Sequence, residues 1–120
     1  MEKKLIPIYR LNIYADDKSI LNDLDLANDI SDLIEQCLLK RVKPVLDFDG
    51  IFKIEPYWFV LALYKWVLRG KEQTNKIVGV ANIEGNKLKL LNIVANKIIE
   101  NGKDILNGIT IDKLPNDDAQ

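Results

Sequence analysis

Two aspartates separated by one residue, Asp47 and Asp49, are the side chains best placed to do chemistry in this chain. They follow the apolar Val45-Leu46 and precede Gly50, so a strand ending in a turn would hold both carboxylates at its tip. Such a pair can supply a nucleophile and an acid/base, or hold a divalent cation. The plainer reading is structural. An aspartate ending a strand accepts backbone N–H bonds and caps the turn, and two carboxylates from one turn are too few ligands for a resident cation. The residues therefore call for no metal and no cofactor. Little else in the chain is reactive. There is no histidine, which removes Ser-His-Asp and Cys-His catalysis and histidine metal ligation. The single Cys37 can make neither an internal disulfide nor a Cys/His zinc site. It falls on an apolar helical stripe and is expected to be a small buried hydrophobe.

The 120 residues carry 17 lysines and arginines against 18 aspartates and glutamates, for a formal net charge of −1. This length fits one domain, read as residues 1–114 with a polar tail at 115–120. Near-neutral charge argues against nucleic acid as the partner, since a phosphate-backbone binder needs a basic excess. The longest apolar run, residues 57–64, falls short of the ~20 residues of a membrane-spanning helix. The basic start is followed by too short and too polar a stretch for a signal peptide. These features predict a cytoplasmic protein.

Strands and helices are expected to alternate. Residues 5–14 alternate in hydrophobicity with a phase change near Tyr9-Arg10, read as a bulge or turn. Asp16, Asp17 and Ser19 offer capping oxygens for a helix over 21–40, and a strand over 43–48 begins at Pro44. A second helix opens at Glu55-Pro56 and runs to Arg69. A strand is expected over 76–81, where Gly79 would permit close packing against a helix. A third helix over 86–100 carries Leu88, Leu91, Ala95 and Ile98 as its stripe, and a short edge strand is expected at 109–111. Alternating elements of this kind imply an α/β layer with helices packed on a sheet.

The second helix is apolar beyond what one buried face requires. Only Ala62, Lys65 and Arg69, with Trp58, form a plausible solvent stripe. Either neighbouring elements cover the excess, or it is a surface for another protein or a second copy of this one. Lys65 and Arg69, one turn apart, read as a solvated helix end or a weak contact for an acidic partner.

Two families share features with residues 45–59. Val45-Leu46-Asp47-Phe48-Asp49-Gly50 resembles the first motif of haloacid-dehalogenase-like phosphatases, which implies Mg²⁺-dependent attack by Asp47 with Asp49 as acid/base. Ile51 stands where that family has threonine, and Asn82 follows the next strand in place of serine or threonine. A broader likeness, over roughly residues 24–100, is to the STAS domain of bacterial anti-sigma-factor antagonists. It is carried by Val45-Leu46-Asp47-Phe48-Asp49-Gly50-Ile51, by Ile54-Glu55, and by the apolar helix that follows. That resemblance implies a non-catalytic, single-domain, STAS-like α/β protein, bacterial or phage-related. Its partner would be a regulatory ATPase or kinase; small size and the lack of catalytic residues point instead to a target that it inhibits, and the apolar second helix to a homodimer. The contact would be the start of the second helix: Glu55, Pro56, Tyr57, Trp58 and Phe59, with Lys65 and Arg69. Pro56, Tyr57 and Trp58 replace the family's Ser-Ser-Gly, so its serine phosphoswitch has no acceptor here.

Overall fold

The computed structural model describes residues 2–70 and 78–101, with Arg69 and Gly70 as backbone only. The sheet is built from β1 (Lys3–Pro7), β3 (Lys43–Asp47) and β5 (Gly79–Ala81), all parallel, in the order β1-β3-β5. Leu5 is level with Val45, and Val45 with Gly79. A second parallel pair joins β2 (Ile20–Leu21) to β4 (Lys53–Ile54). The helices are α1 (Ile8–Leu11), α2 (Leu24–Leu39), α3 (Pro56–Gly70) and α4 (Gly85–Asn101). The α/β class expected from the sequence is observed.

Local chemistry explains most boundaries. The phase change near Tyr9-Arg10 is a single helical turn, α1, so of the two expectations the turn is observed and the bulge is not. Helix α2 starts later than expected, because Asp23 is the cap and Asp16, Asp17 and Ser19 are not. One Asp23 carboxylate oxygen accepts the N–H groups of Asp25 and Leu26 at 2.9 and 3.2 Å, two of the donors a helix start leaves open. The residues before it, Ile20 and Leu21, pair as a strand instead. At the other end Arg41 takes φ 58°, and the Val42 N–H returns to the Cys37 carbonyl at 2.9 Å.

Each strand-to-strand step moves one place in the same direction, and right-handed crossovers then set α2 and α3 on one face of the sheet. Helix α3 lies between α2 and α4, touching both. Ile6 and Leu46 meet the helices in the core, with Ile30, Ile34, Trp58, Phe59 and Val94. The opposite face of the sheet carries Lys3, Leu5, Lys43, Val45 and Gly79 around a shallow open depression. A Cβ on Gly79 would sit 3.3 Å from Val45 Cγ2 and 3.4 Å from Lys43 Cε. The close approach is therefore to strand side chains, and not to a helix as the sequence suggested.

Two stripes differ from expectation. In α4 the buried residues are Leu90, Val94 and Ile98, while Leu88 is half-exposed and Leu91 and Ala95 only line the core's margin. Ile98 is buried as expected, but packing on α3 turns Leu90 and Val94 inward beside it in place of Leu88, Leu91 and Ala95. In α3, Ala62 and Trp58 are fully buried, so the expected solvent stripe is reduced to Lys65 among residues whose side chains are described. The edge strand expected at 109–111 lies outside the described residues, as does the start of the strand expected over 76–81.

Candidate functional site

In a parallel α/β layer the loops after the strands gather at one end of the sheet, where ligands commonly bind. Asp47 ends the central strand β3 here, and its Oδ1 accepts the Asp49 N–H at 3.0 Å and the Asn82 Nδ2 donor at 2.7 Å. Gly50, at φ +87°, completes the turn, and Asn82 takes φ 56° just beyond β5. Asp47 thus caps its own turn and also ties it to the neighbouring strand's loop. Sequence reasoning foresaw the cap. It missed the Asn82 contact, because nothing local marks two residues 35 positions apart as partners. No group of three or more acidic or thiol side chains able to hold a metal ion occurs among the described residues.

Aromatic side chains surround this end. The Tyr9 ring lies against Gly50, where a Cβ would come within 3.0 Å of its Cδ2. Lys18 Nζ sits 5.3 Å from the Tyr9 ring centre. Phe52 is 74% exposed, and Lys87 Nζ lies 5.7 Å from its ring centre. Both distances fall within cation–π range. The backbone N–H groups of Phe52 and Lys53 share the Ser19 carbonyl, at 2.7 and 3.2 Å. The Glu55 N–H donates to the Leu21 carbonyl at 2.8 Å. The backbone of the segment that feeds α3 is therefore pinned, and Phe52 projects from it.

The residues expected to touch a partner are divided by the fold. Pro56, Trp58 and Phe59 are buried, with Trp58 edge-on to Phe59 at 5.9 Å between ring centres. They serve the core because α2 and α4 flank α3 and cover both of its sides. Glu55 and Tyr57 are half-exposed, and Lys65 is exposed; the Arg69 side chain lies outside the described set. Phe52 is the site residue that sequence reasoning passed over. The available signal was a large aromatic directly after Asp-Gly-Ile, off the alternation of the strand before it.

A second exposed region lies at α2. Tyr14 Oη donates to Asp29 Oδ2 at 2.5 Å, and this bond to a carboxylate, with Asp29, Asp25 and Asp23 nearby, raises the phenol above its usual range. Cys37 is buried, as expected.

Comparison of the chain with protein-family models, with curated proteins and with solved structures finds no match.

Proposed function

We propose that this chain is a non-catalytic, STAS-like interaction module of a bacterial or phage-related cytoplasm. It presents the carboxyl end of its sheet, around Phe52, Glu55 and Tyr57, to a partner protein. The partner is a regulatory ATPase or kinase, or a target held inactive. One observation carries the reading: Phe52 stands 74% exposed on a pinned segment. An exposed aromatic ring on a backbone already held in place needs little ordering of the chain on binding and suits an interface anchor. The Asp47 carboxylate is engaged in capping its own turn. No described helix is long and apolar enough to cross a membrane.

A photo-crosslinking residue placed at Phe52 tests this in lysate of the source cell. It is expected to trap one discrete protein, while the same group at Ile99, exposed on α4, traps none. Phe52→Ala is expected to lower recovery of that protein roughly 10-fold or more, the loss of a binding anchor. Equal crosslinking at both positions would sink the proposal.

The Asn82–Asp47 hydrogen bond favours one alternative, the Mg²⁺-dependent phosphatase. In that reading Asn82 positions the Asp47 nucleophile and Asp49 protonates the leaving group. Hydrolysis of p-nitrophenyl phosphate with added Mg²⁺, lost in Asp47→Asn, would support it. The interaction reading expects no turnover above buffer for either protein.

A further inference from the structure

We propose that two copies of this chain pair through β1, antiparallel about a twofold axis at Leu5, with their α2 helices side by side. This surface is separate from the Phe52 face, so either proposal can fail alone.

The first observation is an edge of the sheet that has no partner among the described residues. Strand β1 pairs only with β3 among the described residues. The Glu2 carbonyl accepts the Lys43 N–H at 2.8 Å, so Glu2 addresses β3. Backbone polar groups alternate sides along a strand, so Lys4 and Ile6 also turn toward β3. Lys3 and Leu5 therefore turn their N–H and C=O groups outward, while the Pro7 carbonyl, at the N-cap of α1, accepts the first bond of that helix. Proline is tolerated there because its missing N–H faces away from the sheet.

The second observation is a groove of about 200 Å³ along this edge, lined by Lys4, Leu5, Ile6 and Pro7 on one side and by α2 on the other. Four consecutive strand residues can line one groove only if it runs along the backbone edge, since their side chains alternate between faces. The opposite wall is the Leu33, Gln36, Cys37 and Lys40 face of α2. A second groove continues it past Leu11 and Leu33 to Asp29 and Asp32. The channel is thus basic at the Lys4–Lys40 end and acidic at the Asp29–Asp32 end.

That charge gradient identifies the occupant. A twofold axis across the groove lays each basic end against the other copy's acidic end, which makes the surface complementary to itself. The α2 sequence has the same symmetry. Asp32 and Lys40 stand four residues before and after Gln36. With the two helices antiparallel and crossing at Gln36, Asp32 lies level with Lys40 of the second copy, whose long side chain can span to it. Leu5 is 54% exposed in the single chain; the pairing sets it opposite Leu5 of the second copy.

The strand register follows from the same residues. Centred at Leu5, each Leu5 N–H donates to the other Leu5 carbonyl, and Lys3 lies opposite Pro7 of the second copy. Lysine then never faces lysine directly, whereas centring on Lys3 would set like charges opposite, which is unfavourable.

Sedimentation equilibrium of the full chain over a dilution series tests the proposal. Wild type is expected to associate as a dimer. Leu5→Pro removes one outward donor per chain without touching the bonds to β3, and is expected to weaken the dimer roughly 10-fold or more. Asp32, on α2, and Lys40, at its C-cap, are both exposed, so Asp32→Lys and Lys40→Asp are compatible with folding and should each weaken association. Combined in one chain they should restore it, because the opposite charges face each other again. A monomeric wild type would overturn the pairing, whether its groove then proves empty, filled by the chain's own end, or filled by another protein's strand. So would a dimer insensitive to Leu5→Pro, or a double variant no better than the single ones.

Discussion

Trp58→Ala is expected to cost about 3–5 kcal/mol of folding stability, the range for removing a large aromatic from a packed core. Domains of this size hold roughly 5–15 kcal/mol in total, so the variant should sit close to unfolding at room temperature. Trp58 is 0% exposed and edge-on to Phe59, which in turn lies 5.9 Å from Phe48 at the end of β3. Truncation opens a cavity at the junction of α3 and the sheet that neither neighbour can fill without leaving the other. The Trp58 indole N–H finds no acceptor among the described residues. Trp58→Phe removes that unpaired donor along with part of the ring, and should therefore cost distinctly less than Trp58→Ala. Urea unfolding followed by far-ultraviolet circular dichroism measures both. A loss below about 1 kcal/mol for Trp58→Ala, the scale of a surface change, would show that Trp58 is not a core residue.

Asn12→Asp should be the most damaging polar exchange. Asn12 is 0% exposed, and its Nδ2 donates to the carbonyls of Lys18 and Ile20 at 3.2 and 3.0 Å. These two bonds hold the loop that leads into β2. An ionised aspartate has no donor, so both bonds are lost and a buried negative charge faces two carbonyl oxygens. The expected cost at neutral pH is about 2–4 kcal/mol, from two lost bonds and the desolvation of the carboxylate. Its sign with pH is fixed. Burial favours the protonated acid, so the folded pKa of the new carboxyl rises above its unfolded value of about 3.9. Below that value both states are protonated and the charge costs nothing. As pH climbs toward the folded pKa the cost grows, and above it the cost is constant. Asn12→Leu loses the same donors without a charge, so its cost should not vary with pH. Stability differences from wild type measured between pH 4 and pH 8 check this; equal, flat profiles for the two variants would refute the buried charge.

Neither result could be read from the sequence. Trp58 lies in the one helix where a solvent stripe was expected to include it. Asn12 follows a stretch read as strand with a turn, and an asparagine near a turn is ordinarily solvated. The opposite holds for Asp47. Its cap on Asp49 needs only residues two positions apart, and it was legible at once. The same contrast divides the candidate site. Glu55 and Pro56 mark the start of α3 by local rules, whereas the exposure of Phe52 depends on Ser19 holding its segment from 33 residues earlier.

The sequence by itself determined the alternation of strands and helices, the α/β class, the central strand ending in Asp47, the helix beginning at Pro56 and the burial of Cys37. Each rests on periodicity, turn chemistry or capping among near neighbours in the chain. Tertiary structure alone decided which residues of an apolar helix meet solvent. Helix α3 is apolar on nearly every side, and only its place between α2 and α4 sends Trp58 and Ala62 inward. The same packing set Leu90 and Val94 beside Ile98 in place of Leu88, Leu91 and Ala95 in α4, and pairing with Lys53-Ile54 turned Ile20-Leu21 into a strand. The physical reason is that burial is a property of two surfaces, and a single segment describes only one of them.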